Sequence, residues 1–567
     1  MAVQFIFGGS GRGKTYFLQH KIMEEAVKNP KKDYIMIVPE QFTMQTQKDM
    51  IRISPGHGIM NVDVQSFVRL AFRVFSETGA GNVQVLDDLG KIMILKKVLS
   101  NKKDDLKYFG RNINKDGYIS EIKSFMSELI QYGADENEIE KMIQASENKT
   151  VLKYKLQDMS VAFSAFKEYI DKNYITSEEL LSVFADVISQ SGLLNGAVIC
   201  FDGFTGFTPL QYRLLRELIK IAEKVYITVT ADERESVINK GKNYQLFFMS
   251  RKTVNNIRLI ASETGVEVLD DIWTGKEISQ TRFGSSKELE WLERNLFRYP
   301  YKRYNNGKEC EVSDISCHVL KYAEDEIDFV VQKIKRLLVN EGCRYRDIAI
   351  VAGSLETYGN IIEHAMKKAG IACFIDQKRG VQSSVLVRAI DALLQIIIKD
   401  FSYEDIMDYL KGCLSWTSDS KNDILDNYLL AMGIRGFKAW NREWNTSYAY
   451  RRMTDESKEF ANGIVENVRL SVIENLSEFY EKVAKGKHTV RDYATALVEF
   501  FERQHFYEKL MELADDYEEN ENFDMASEYR QLYDMVIEVL EKLVSIMGDE
   551  EMLLKEFKDI LDVGFSE

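Results

Sequence analysis

Little in this sequence staples or punctuates a fold. The six cysteines (Cys200, Cys310, Cys317, Cys343, Cys373, Cys413) contain no C-x-x-C pair and no ligand spacing. That argues against a structural metal or a disulfide framework, and for scattered thiols in a reducing compartment. No apolar run approaches membrane-spanning length, and "MAVQFIF" leads into a glycine loop without a basic segment. Neither a membrane span nor a secretory leader is expected, and the reading is a cytoplasmic protein. Only five prolines interrupt 567 residues, and no internal repeat or low-complexity tract is evident. Net positive charge is missing as well. The formal balance of −15 disfavours a general nucleic-acid coat and confines any DNA contact to a local basic channel. One basic stretch, "KKVLSNKKDDLKYFGRNINK", runs from Lys96 to Lys115, and an acidic one reads "MELADDYEENENFDMASE". Both read first as solvated helix faces.

What is present is ordinary globular texture, 45% hydrophobic and 29% charged, in a chain long enough for three or four domains. From Val3 to about Asp87 short β-branched and aromatic runs ("VQFIF", "YIMIVP", "VDVQSF") alternate with helical stretches, which implies parallel βαβ units. "LDDLGKIMILKKVL" and "GYISEIKSFMSELIQYG" then show apolar residues at helical spacing with no strand run between them. Strand texture returns at "AVICFD" (197–202) and "KVYITVT" (224–230). A second α/β block starts near Ile315, with strands expected at 316–322, 347–353 and "IACFID" and helices between them. Beyond about residue 400 the text is helical again. The resulting division is a first α/β domain (1–86 and 191–300), a helical insertion (87–190), the start of a second α/β domain (301–400) and a second helical insertion (401–567).

"GGSGRGKT" (Gly8, Gly9, Ser10, Gly11, Arg12, Gly13, Lys14, Thr15) fits G-x-x-x-x-G-K-T in full, with a strand before it and a helix-forming run after it. Glycines there let backbone N–H groups turn inward around phosphate oxygens. Lys14 would reach the β- and γ-phosphates, and the Thr15 hydroxyl would ligate Mg²⁺, so ATP with Mg²⁺ is the expected cofactor. Asp202 ends an apolar strand where a Mg²⁺-ordering carboxylate belongs, although an Asp-Gly turn explains it too. The next position, where hydrolysis needs a carboxylate to position water, holds Gly203. Loss of such acid–base help typically forfeits about 10²–10⁴ in rate. Binding is expected to survive; fast turnover is not.

These elements resemble a superfamily 1 helicase of the UvrD/Rep type that has lost its motor. Such enzymes carry "DEFQD" and then "IQY" after the second strand, where this chain has "DGFTGFTPLQY" (202–212), and "ADERES" (231–236) stands where a "GDxxQ" turn belongs. The set "IVPEQFTMQTQ", "VLDDLGKIMILKKVL", "FDGFTGFTPLQ" and "DIAIVAG" is similar to the AddB (RexB) family of the bacterial AddAB helicase–nuclease. The resemblance implies two RecA-like P-loop NTPase domains with large all-helical insertions. It also implies heterodimerisation with an AddA motor–nuclease subunit, contact with single- and double-stranded DNA, and recognition of the hotspot Chi during recombinational repair. Gln41, Phe42, Thr43, Ser66, Phe67 and Arg69 fall in the segments that would carry single-stranded DNA. The family's second nuclease and its iron–sulfur cluster have no counterpart before Glu567, so an N-terminal portion of a longer protein is expected, with no catalytic residue of its own. An active helicase, a small-substrate P-loop kinase and a scaffold with an empty loop are the competing readings.

Overall fold

The run Ala2–Gly8 (AVQFIFG) is buried from Phe5 to Gly8, as befits a strand covered on both faces by βα crossovers. The computed structural model describes the chain apart from residues 57, 59, 80–83, 111–117, 171–173, 239–240, 278–280, 308–311, 378–379, 445–453 and 567. It divides into two units, Met1–Gly81 with Leu181–Arg379, and Asn82–Leu180 with Gly380–Glu567.

The first unit opens with β1 (Ala2–Gly8), α1 (Lys14–Lys28), β2 (Tyr34–Ile37), α2 (Thr43–Ile53), β3 (Val62–Gln65) and α3 (Phe67–Thr78). The second unit then contributes β4 (Gln84–Leu86), α4 (Asp88–Asn101), α5 (Tyr118–Gln131), α6 (Glu136–Ala145), α7 (Thr150–Ile170) and β5 (Tyr174–Thr176). Helix α8 (Leu180–Val187) leads back into β6 (Val198–Phe201), α9 (Pro209–Ile221), β7 (Lys224–Thr230), α10 (Phe248–Thr264), β8 (Glu267–Val268) and β9 (Ile272–Trp273). Helices α11 (Lys287–Asn295), α12 (Ala323–Asn340) and α13 (Leu355–Ala369) finish the first unit. The rest of the second unit is mostly helical, from α14 (Val385–Ile398) to α22 (Leu554–Phe565), with one short antiparallel pair, His488–Thr489 on Glu551–Met552.

The sheet of the first unit runs β3-β2-β6-β7-β1-β8, with β9 also on β1. Each pairing is parallel, with Gly8 opposite Thr230 and Phe201 opposite Ile227. Strand β7 therefore separates β1 from β6, and the chain leaves both at the same edge of the sheet. That edge receives the glycine loop and Asp202. Ile6, Leu18, Ile22, Met36, Val64 and Cys200 form one core beneath it. Helix α9 starts with a capping box. The Thr208 N–H donates to Gln211 Oε1 at 2.9 Å, the Gln211 N–H donates to Thr208 Oγ1 at 3.3 Å, and Pro209 follows the cap.

Two expectations need correction. The helical insertion is bracketed by strands, since β4 pairs in parallel with β5. In the second α/β block, the helices form and pack Ile327, Val331 and Ile334 against Ile362 and Met366. The segments expected as strands there join no sheet among the described residues. Val319, Val351 and Phe374 on them are 93%, 94% and 90% exposed. β-branched texture records fitness for a pleated surface, but a strand exists only once neighbours supply its ladder.

The second unit is built on apolar helix faces, with Leu393, Val465, Leu497, Leu540 and Phe557 in its largest core. Beside it lies the α4–α7 core of Ile92, Leu95, Ile122 and Phe166. Lys91 is buried here against Glu178, with Nζ–Oε distances of 2.7 and 2.9 Å.

Candidate nucleotide site

The loop between β1 and α1 turns through two left-handed glycines, Gly11 at φ 70° and Gly13 at φ 77°. Neither conformation suits an L side chain. A Cβ at Gly9 would lie 2.4 Å from a Glu293 carboxylate oxygen, so backbone alone fits there. Lys14, at the start of α1, folds back over the loop and donates to the Gly8 and Gly9 carbonyls at 3.1 and 2.9 Å. Burial lowers the Lys14 pKa, with Asp202 and Glu293 opposing that shift. Thr15 lies exposed on the first turn of α1. A concave backbone at a helix N-terminus, an amine beside it and a nearby hydroxyl form a donor set suited to a polyphosphate and its Mg²⁺.

Asp202 leaves β6 buried, and the Thr228 hydroxyl of β7 donates to it at 2.6 Å. The Asp202 charge acts on Lys14, against the effect of burial there. Gly203 has φ 79°. The position is thus doubly unlike a catalytic glutamate, in side chain and in backbone, because a left-handed residue with a Cβ is strained. Phe204 and Phe207 anchor this turn, their rings 5.4 and 6.5 Å from that of Phe67.

Several contacts around the loop were not legible in the sequence. Arg12 is buried, donates to the Gly275 carbonyl at 3.0 Å, and lies 3.2 Å from Glu293 and 3.6 Å from Glu290 on α11. The Arg282 N–H donates to the Gly11 carbonyl at 2.8 Å, so the segment after β9 lies on the loop. Asp232 accepts from Arg234 and from Arg298, at 2.6 and 3.0 Å. Burial alone would raise the Asp232 carboxyl, yet the two arginines outweigh it and hold it well below the usual carboxylate range. Arg234, Arg294 and Arg298 line a cavity beside Gly8 and Gly9. On the other side a cleft of 1120 Å³ is lined by Thr15, Tyr16, His20 and Trp273. The Tyr16 and His20 rings lie 3.8 Å apart, centre to centre.

A family profile described as "ADDB, N-terminal" matches residues 5–293. The chain belongs to the AddB family. All of it aligns with proteins whose names make them a subunit of an ATP-dependent helicase/deoxyribonuclease. It is 39% identical to the relative from Lachnoclostridium phytofermentans, covering 49% of that protein, and 32% identical to the one from Clostridium novyi, covering 48%. The Acetivibrio thermocellus relative is 32% identical, with 49% of it covered. This AddB-family chain thus spans about half the length of the curated relatives it matches. Among its described residues no helix is long and apolar enough to cross a membrane, and no group of His, Cys, Asp and Glu could hold a metal ion by itself.

The six residues of the expected DNA path divide by environment. Gln41, Phe42 and Arg69 are exposed, and Arg69 pairs with Glu40 at 3.2 Å. Thr43 is buried and donates to the Glu40 carbonyl. Ser66 is the buried N-cap of α3, and Phe67 is buried in the aromatic cluster that supports the Gly203 turn. For Phe67 the packing role accounts for the ring fully.

Proposed function

We propose that this chain is the nucleotide-binding, DNA-engaging and non-motor portion of a helicase–nuclease. One observation carries the reading. A complete phosphate loop stands beside Asp202, while the adjoining position is a left-handed glycine that can offer no carboxylate. ATP would lie with its phosphates against the backbone of Gly9–Gly13 and Lys14. Mg²⁺ would be held by Thr15 and Asp202, neutralising phosphate charge. Tyr16 and His20, in the adjoining cleft, supply an aromatic face for the adenine.

Four carboxylates near the loop are already engaged: Asp202 by Thr228, Glu290 and Glu293 by Arg12, and Asp232 by two arginines. A residue so committed is a poor general base, which favours binding without rapid hydrolysis. In this reading DNA follows the surface near Gln41, Phe42 and Arg69, an AddA motor–nuclease partner supplies translocation, and the assembly processes DNA ends and responds to Chi. The names of the relatives and the phosphate-loop motif of the sequence support it.

The test is titration of ATP and Mg²⁺ into the full chain. Lys14→Ala should weaken binding roughly 10–150-fold, the equivalent of about 1.5–3 kcal/mol for a hydrogen bond to a charged group. No binding by the parent would leave the scaffold reading with an empty loop. Turnover at about 1–10³ per second, abolished by Lys14→Ala, would restore the active-helicase reading.

A further inference from the structure

The segment that leaves α11 reads "RNLFRYPYKRY" (294–304), four cations and no carboxylate in a chain of net charge −15. Its aromatic residues are not core. Phe297, Tyr299 and Tyr301 are 81%, 98% and 77% exposed. Both ends of the segment are held. Arg298 donates to Asp232 at 3.0 Å, its guanidinium lying 4.6 Å from the Phe247 ring centre. Tyr304 packs edge-on to Trp291 of α11, the ring centres 5.3 Å apart. Phe297 has φ 56°, an uncommon conformation for a residue of its size. Among the described residues, neither Lys302 nor Arg303 has an acidic partner, and both are exposed.

Three uncovered rings at alternate positions, followed by two cations without acidic partners on an anchored ribbon, combine stacking faces with phosphate-binding charge. We propose that residues 297–303 form a platform for single-stranded nucleic acid, in which Phe297, Tyr299 and Tyr301 stack on bases while Lys302 and Arg303 meet the backbone. The platform rests on the DNA-engaging reading above and adds a contact separate from Gln41, Phe42 and Arg69. Sequence-tolerant stacking fits an exposed ribbon, since every base offers a π-face and no pocket is needed to read its edge. A protein partner would also cover the rings, but it would not discriminate bases from abasic sugar.

The experiment is fluorescence anisotropy of a labelled oligothymidylate and of an abasic strand of equal length, each titrated with the full chain. Tyr299→Ala/Tyr301→Ala should lose at least tenfold in affinity for oligothymidylate, from about 1–3 kcal/mol per stacked base. It should also lose the parent's preference over the abasic strand. Lys302→Gln/Arg303→Gln should lower the slope of log K against log salt by about 1.4, at about 0.7 per phosphate contact for a single strand. Parent-like binding by both variants overturns the platform while leaving the functional reading intact. Equal losses on both strands overturn stacking. Absence of parental binding even at low salt overturns the platform and the DNA-engaging reading together. The altered side chains are exposed, and unchanged circular dichroism and thermal unfolding will confirm that the variants fold.

Discussion

The Arg12 guanidinium, inside the phosphate loop, lies 3.2 Å from the Glu293 carboxylate of α11, a residue 281 positions away in sequence. Both side chains are largely shielded, at 9% and 15% exposure. The pair fastens a helix beyond the sheet to the nucleotide loop. Arg12→Ala is expected to destabilise the first unit by about 2 kcal/mol, within the range for a hydrogen bond to a charged group. A double-mutant cycle with Glu293→Ala, read by urea unfolding, should show coupling above about 0.5 kcal/mol. Additivity would mean that the contact contributes nothing.

Gly203→Glu returns a carboxylate beside Asp202 but forces a side chain onto φ 79°. Space is adequate, because a Cβ would meet Pro39 at 3.5 Å. The backbone conformation is the obstacle, costing about 1–2 kcal/mol. Calorimetry should show a melting temperature lower by roughly 2–8 °C, and a phosphate-release assay should show no gain in DNA-stimulated hydrolysis. Robust turnover by this variant would show that one missing carboxylate was the whole defect.

Asp232 gives acid sensitivity of a definite sign. Its folded-state pKa is depressed below the ordinary 3.8, so its contribution to stability is present above that value and is lost as the pH falls below it. Asp232→Asn should be less stable than the parent at neutral pH. Between about pH 4 and pH 2 the parent should lose more stability than the variant, the gap closing as Asp232 protonates. Parallel stability curves would contradict the assignment.

Lys91 in the second unit is buried with Glu178, and Ser177 and Asp88 also accept from it. Burial pushes the Glu178 carboxyl up, and Lys91, helped by hydrogen bonds from Ser127 and the backbone, more than reverses it. Lys91→Ala leaves Glu178 buried without its cation and should cost about 3–5 kcal/mol in the unfolding transition of that unit. Lys91→Met/Glu178→Leu should recover most of the loss, since apolar replacement of a whole buried pair is often neutral. No recovery would indicate that the neighbouring serines, rather than the pair, fix the packing.

The phosphate loop was legible because its chemistry constrains consecutive residues, with Gly11 and Gly13 taking conformations that other residues resist. Asp202 was legible from the apolar run before it. At Gly203 the sequence shows a missing carboxylate, but only the backbone shows why glycine suits the turn. The clamp of Arg12 by Glu290 and Glu293 was hidden because long-range ion pairs leave no periodic trace. Phe67 lies in a segment expected to carry DNA, and its neighbours Phe201, Phe204 and Phe207, invisible as neighbours in the sequence, pack around its ring.

The ladderless segments around Val319, Val351 and Phe374 give the chain an adhesive character. Exposed β-type residues on backbone without a ladder are templates for strand addition, the usual route to edge-to-edge aggregation. At preparative concentration, light scattering should therefore register self-association that grows with protein concentration. A lysine at Val319 or Val351 should suppress it, as charges placed on sheet edges generally do.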